Sequence, residues 1–440
     1  MKQLLIFLCL SITFQSFTQT THLLDTTDLK KREDFIKKYE NKYEIFNKNL
    51  KKEFKGKMKN EVLNFYDLTQ KKFINILNKE QLLFNDSFQN YTDSLASILI
   101  TRNPEIKNEN LQIFISKHSS PNALCLGDGT LILHLGLFNY LENENQLLSV
   151  ISHEIGHQLL KHTKTTIEEK AKINTTVLSK KSNIAQSFKK NKYNRNTKAF
   201  GLLKDLLYTA GETHREYESQ ADSIGYVIYK NTGLPPLQFI GALEILAQID
   251  SLPSAEIKTK TYKTFFNLPE QQFDEKWLVS ENFESYNYDM FKDKINKDSI
   301  KSHPDIEERI SRLKKNFTEL NIDSHSDIIP NSSFLNLKEI AFKSEIENLH
   351  YLNEYGLSVY SILKKLETDS ENEYYKQWLG KNFHEIYHAK KKYQLNRYVD
   401  RVSPKNQSES YQLFLNFIWN LKLDEIKTIA NYYSVEEKIE

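Results

Sequence analysis

The stretch Ser149-Val-Ile-Ser-His-Glu-Ile-Gly-His-Gln-Leu-Leu-Lys-His162 decides how the rest of the chain is arranged. Inside it, His153-Glu154-Ile155-Gly156-His157 fits the pattern H-E-x-x-H. Positions i and i+4 share one face of a helix, so the spacing sets two imidazoles side by side with a carboxylate next to the first. Two neutral imidazoles are good zinc ligands, and the carboxylate can accept a proton from water that the metal activates.

The surroundings of the motif matter as much as the motif. Leu147, Leu148, Val150, Ile151, Ile155, Leu159 and Leu160 make the helix apolar nearly all round, which predicts burial. A buried Glu beside a buried His pair is costly without a partner such as a metal. Gly156 leaves room for another backbone. A second copy, His384-Glu385-Ile386-Tyr387-His388, sits at the edge of a stripe formed by Tyr375, Trp378, Leu379, Phe383, Ile386 and Tyr387. Lys390, Lys391 and Lys392 follow it, and an exposed, cation-flanked pair is a poor place to bind zinc tightly.

A catalytic zinc needs a third protein ligand and an open position. His162 falls one residue short of the H-E-x-x-H-x-x-G-x-x-H spacing, where Thr163 stands instead. The segment Arg215-Glu-Tyr-Glu-Ser-Gln-Ala-Asp222 offers carboxylates. Glu218 and Asp222 are i, i+4 neighbours, so one can ligate while the other fixes a histidine tautomer. Glu212 and Glu216 are rivals, and a row of surface acids on a soluble helix is the plain alternative.

The chain has 440 residues, 27% of them charged and 12% aromatic, with 12 Gly and a formal charge of +2. That is a helix-rich globular composition with ample length for a core, and it calls for neither nucleic acid nor an anionic membrane as partner. Lys2, the apolar run Leu4–Leu10 and Ser16-Phe17-Thr18 read as a signal peptide, residues 1–18, cut before Gln19. The run is short for a span of about 20 residues. Its removal leaves Cys125 as the one cysteine, which excludes an intrachain disulfide and a thiolate metal cluster. A bacterial periplasm is the expected compartment, with no transmembrane segment in the mature chain.

Apolar residues at threes and fours predict helices over Asp28–Lys59, Glu61–Leu83 and Asp86–Ile100, the last stopped by Pro104. The period then shortens to strands at Leu111–Ile115, Asn122–Leu126 and Thr130–Leu135, with a turn at Gly127-Asp128-Gly129. The motif helix starts near Glu144. Residues 164–200 are polar and Lys/Asn-rich, read as a solvated insertion. Residues 255–300 are aromatic and irregular, read as a groove cover or as insertion core. Residues 334–434 form four or five helices. The domain expectation is an N-terminal helical region at 19–100, a metallopeptidase domain at 101–320 and an α-helical C-terminal domain at 334–440.

H-E-x-G-H followed by R-x-x-E-x-x-A-D resembles family forty-eight of the zinc metallopeptidases, the HtpX-like and CAAX prenyl protease-like group, through roughly residues 90–315. Ser120-Pro-Asn-Ala123, Gly129-Thr-Leu-Ile-Leu133, Gly136-Leu137, and Ser302-His303-Pro304 with Arg309-Ile310 resemble further motifs of that family. The resemblance implies a mainly α-helical α+β fold with a zincin-type (gluzincin) core and a small β-sheet. It implies one Zn2+ per chain held by His153, His157 and Glu218, with Glu154 as catalytic base and acid and Asp222 behind the ligands. His303 is either a regulatory or fourth metal ligand, or a structural residue beside Pro304. The family's membrane helices are absent, which points to its soluble periplasmic branch.

The expected activity is zinc-dependent endopeptidase cleavage of unfolded or misfolded envelope proteins. The substrate backbone is expected to add to an edge strand at Leu131, Ile132 and Leu133. The competing class is a chaperone-like or adaptor protein with latent peptidase activity. In either class, the C-terminal helices are candidates to bind envelope protein partners.

Overall fold

The computed structural model describes residues 28–178, 211–248, 256–279, 306–322, 328–403, 407–434 and 438–439. The signal segment, residues 179–200 of the polar insertion, residues 280–300 of the aromatic stretch, and His303 lie outside the described residues. The fold is mainly α-helical with one small mixed sheet, as the sequence led us to expect.

Two long amphipathic helices, α1 (Leu29–Glu53) and α2 (Gly56–Asn78), open the described chain. The second stops five residues earlier than its apolar pattern suggests. Glu80 takes a left-handed conformation, and Leu82–Leu83 become a short strand, β1. Helix α3 (Asp86–Arg102) begins at Asn85, whose side chain accepts from the backbone N–H of Ser87 and Phe88.

The strands β2 (Gln112–Ser116), β3 (Ala123–Cys125) and β4 (Thr130–His134) complete a sheet of order β1-β2-β4-β3. β4 runs parallel to β2, with Ile113 opposite Leu131, and antiparallel to β3, with Leu124 opposite Ile132. This corrects the edge-strand expectation. Leu131, Ile132 and Leu133 are paired on both sides and wholly buried, so their backbone is not open to another strand. Among the described residues the free edge beside the H-E-x-x-H helix is β3. The β3–β4 hairpin is local, but the docking of β4 against β2 is a tertiary choice that alternation does not encode.

Strand alternation divides the sheet between two cores. Phe114, Leu124 and Ile132 face α1 and α2, where they meet Tyr39 and Phe73. Ile113, Ile115, Ala123, Cys125, Leu131 and Leu133 face the other way, onto α3 and the motif helix. Burial on both faces is why these strands read as continuous apolar runs. Tyr39 Oη lies 2.9 Å from Thr130 Oγ1, and Lys42 pairs with Asp128 at 3.2 Å, so α1 is pinned to the β3–β4 turn.

After a single-turn helix α4 (Gly136–Tyr140) come α5 (Glu144–Leu159), α6 (His162–Leu178), α7 (Gly211–Lys230), α8 (Leu237–Gln248) and α9 (Thr259–Phe266). Then follow α10 (Ile306–Asn316), α11 (Ser332–Tyr351), α12 (Tyr355–Leu366), α13 (Glu373–Lys391), α14 (Glu409–Asn420) and α15 (Leu423–Tyr433). The last helices build a core of their own, and α11 joins both: Phe334, Leu337 and Ala341 enter the first, Ile346 the second. The described part of the aromatic stretch serves that second core. Tyr262, Phe265, Phe266 and Trp277 pack there, away from the motif helix. No helix among the described residues is long and apolar enough to cross a membrane.

Candidate metal centre

Helix α5 starts at Asn143, whose side chain caps the N–H groups of Asn145 and Gln146. The helix is buried along almost its whole length, as its apolar surroundings predict. Its main partner is α7, and the two approach closely because small residues line the contact. A Cβ on Gly156 would lie 2.6 Å from the carbonyl oxygen of Ala221, and one on Gly225 would lie 2.8 Å from Cα of His153. This contact sets the histidines of α5 against the acids of α7.

His153, His157 and Glu218 form the one group of three ligand-type side chains found among the described residues, with donor atoms all within 4.8 Å of one another. The two Nε2 atoms are 3.1 Å apart. His153 Nε2 is 3.4 Å from Glu218 Oε2, and His157 Nε2 is 3.4 Å from Glu218 Oε1. All three residues are buried. Two imidazoles and a carboxylate suit zinc. Glu212 lies on α7 without a described side chain, and Glu216 is turned outward, 59% exposed.

Each histidine is oriented from behind. His153 Nδ1 lies 2.9 Å from Asp222 Oδ1, which leaves Nε2 for the centre. His157 is held by a neutral chain. Gln220 Nε2 donates to Glu216 Oε1 at 3.1 Å, so its Oε1 faces His162 Nε2 at 3.2 Å and accepts that proton. His162 Nδ1 is then bare and accepts from His157 Nδ1 at 3.0 Å. His157 Nε2 is left free of a proton. The sequence passed over His162 because its spacing failed a ligand pattern. The chain turns at Lys161, which has a positive φ of 56°, and α6 begins at His162, bringing its ring back against His157.

Arg309, noted in the sequence only as part of a motif, reaches the site from α10. Its Nε and Nη2 each donate to Asp222 at 2.6 Å, and Nη1 lies 3.3 Å from Glu218 Oε2. Burial opposes ionisation of Asp222, but the Arg309 charge and hydrogen bonds hold its carboxyl well below the usual range. Burial likewise opposes charge on His153, yet hydrogen bonds to Asp222 and Glu218 push it up to about 10. The group therefore favours positive charge at its centre.

Glu154 is buried, and its Oε2 has no hydrogen-bond partner among the described residues. Burial raises its pKa, opposed by His153 and His157. A buried carboxylate left open beside a His–His–Glu donor set fits a resident metal and a water between them. Glu154, His153 and Arg309 line a narrow cleft. Ala123 of β3 forms part of one wall, and Phe239 and Leu243 of α8 form another.

Residues 87–316, just over half the chain, match peptidase family M48. The chain is 31% identical over 101 residues to a putative beta-barrel assembly-enhancing protease of Vibrio cholerae, 23% of this chain and 21% of that protein. It is 33% identical over 88 residues to the beta-barrel assembly-enhancing protease of Escherichia coli K12, 20% of this chain and 18% of that protein. The metalloprotease YcaL of E. coli K12 is 24% identical over 164 residues, 36% of this chain and 60% of that protein. The chain thus spans about a fifth of the length of the assembly-enhancing proteases it matches.

Proposed function

The chain belongs to peptidase family M48, a family of metallopeptidases, and on that premise we propose that it is a zinc-dependent endopeptidase of the bacterial periplasm that cleaves unfolded or misfolded envelope proteins. The observation that carries the reading is the open, buried Glu154 carboxylate beside the His153–His157–Glu218 donor set.

In this reading His153, His157 and Glu218 hold one zinc. When bound, zinc supplies Lewis acidity, lowering the pKa of water and polarising the scissile carbonyl. Glu154 takes the proton of the attacking water and hands it to the leaving amine. Its Oε2 has no hydrogen-bond partner among the described residues, which leaves it open to that proton. Asp222 keeps the His153 Nε2 lone pair inward, and Arg309 keeps Asp222 ionised.

The substrate is proposed to add to β3. Asn122 and Leu126 bond to His134 and Thr130 on one side, so the backbone groups of Ala123 and Cys125 point to the free edge. At present Asn122 Oδ1 accepts the Ala123 N–H, and Thr163 Oγ1 donates to the Cys125 carbonyl. An extended peptide would exchange with both. Backbone pairing of this kind reads an unfolded chain more than its side chains. The apolar wall at Phe239 and Leu243 favours an apolar residue next to the cleaved bond.

The envelope setting is supported by the signal-like N-terminus and by the names of the Vibrio and Escherichia relatives. His303 as a regulatory or fourth ligand remains part of this proposal. The test is digestion of casein, which is disordered, alongside a stably folded protein, with fragments mapped by mass spectrometry. Internal cuts confined to casein are expected. Intact casein in the presence of zinc would favour the chaperone-like alternative.

A further inference from the structure

The second H-E-x-x-H copy lies on α13, and the metallopeptidase reading makes no use of it. We infer that His384 and His388 form a weak, exchangeable surface site for a divalent transition-metal ion such as Zn2+ or Ni2+. The inference stands independently of the proposed peptidase activity.

The geometry carries it. His384 Nε2 and His388 Nε2 lie 3.4 Å apart, with ring centroids at 4.6 Å and ring planes at 68°. The pair on α5 has the same disposition, at 3.1 Å, 4.7 Å and 78°. Two nitrogens each about 2.0–2.1 Å from a tetrahedral zinc stand about 3.3–3.4 Å from one another. The spacing of the two α13 rings therefore suits a metal ion between them.

Tautomer and access agree with this. Glu385 Oε1 lies 3.4 Å from His384 Nδ1, on the far side of the ring from His388, and so favours a proton on Nδ1 and a lone pair on Nε2. That use of the glutamate differs from Glu154. The side chains of His384 and Glu385 are 28% and 39% exposed, so water can fill the remaining coordination positions. Among the described residues no third ligand-type side chain joins the pair, which makes the site weak rather than structural.

Two of the lysines that follow the motif make contacts of their own. Lys390 Nζ donates to the carbonyl of Trp419 at 3.0 Å and to that of Leu421. Lys391 Nζ lies over the ring of Tyr387, 5.5 Å from its centroid. Lys390 is thus held by other groups, while the charges of Lys391 and Lys392 still bear on His388 and keep the site weak. The apolar side of α13 carries Leu379, Phe383 and Ile386 into the C-terminal core, so an ion clipping its outer turn would stabilise that region by mass action.

The experiment is equilibrium dialysis of the full chain, saturated at its tight site, against graded Ni2+ and Zn2+, with thermal unfolding at each concentration. One further ion per chain and a rising midpoint are expected. His388→Ala should lose both, and Glu385→Gln should bind the extra ion about 10-fold more weakly. No further ion in the wild-type chain, or a further ion kept at unchanged affinity by both His384→Ala and His388→Ala, overturns the inference. An extra ion without a tight one leaves this site standing and counts against the zinc peptidase instead.

Discussion

His162 Nδ1 lies 3.0 Å from His157 Nδ1, and this contact decides which nitrogen of His157 faces Glu218. Its ring also stacks on Tyr217, with centroids 4.4 Å apart and planes at 15°. His162→Phe keeps the stack and removes the acceptor. It should lower zinc affinity about 10–100-fold, the usual cost of losing a partner behind a ligand. Competition with a coloured chelator measures this, and an unchanged affinity would show that the contact does not orient His157.

Asp222 and Arg309 form a buried two-point ion pair. Asp222→Asn leaves the buried guanidinium only its 3.3 Å contact with Glu218 as an ion pair and should cost about 3–5 kcal/mol. Removing both charges with Asp222→Leu and Arg309→Leu together should cost less than the single change. Urea unfolding of the purified chains checks the order. A single variant as stable as the parent would mean that the pair carries little.

The close approach of α5 and α7 predicts an asymmetry between two glycines. Gly225→Ala puts a methyl 2.8 Å from Cα of His153, a backbone atom that cannot move aside alone. The overpacking should cost about 1–3 kcal/mol and weaken metal binding. Gly241→Ala meets only the end of the Gln146 side chain at 3.3 Å and should be nearly silent. Equal midpoints for the two variants would contradict the packing account.

Glu367 ties α9 to α12. It accepts from Lys258 N and Thr261 Oγ1, each at 2.6 Å. Burial would raise its pKa, but these hydrogen bonds and Lys364 lower it on balance. A group depressed in the folded state contributes stability above its unfolded pKa, about 4.3, and loses it as pH falls through the folded value. Wild-type unfolding midpoints should therefore drop below about pH 4 more steeply than those of Glu367→Gln. Parallel acid limbs would remove Glu367 from the account.

Much of this was legible in the sequence because it is local. The 3.6-residue rhythm of Phe35, Tyr39, Tyr43 and Leu50 marks α1, and the apolar setting of His153 marks a buried α5. What was not legible is set by distant partners. Leu131–Leu133 lie inside the sheet because β2, some eighteen residues upstream, docks alongside, and no feature of β4 itself announces that. Arg309 meets Asp222 across 87 residues. His162 was hidden for another reason: its spacing was judged against a ligand pattern, whereas the left-handed Lys161 turns the chain and brings its ring behind a ligand, against His157. The two-residue β1 and the one-turn α4 are too short to show a period.

One zinc held by His153, His157 and Glu218 is proposed to work with Glu154 to hydrolyse peptide bonds. The most direct measurement pairs zinc content with casein cleavage for the wild-type chain and Glu154→Gln. Both proteins should carry one tight zinc, and only the wild type should cut at an appreciable rate, the variant falling by about 10²–10⁴-fold. Equal cleavage by the two zinc-loaded proteins, or a wild-type chain that binds no tight zinc, would contradict it.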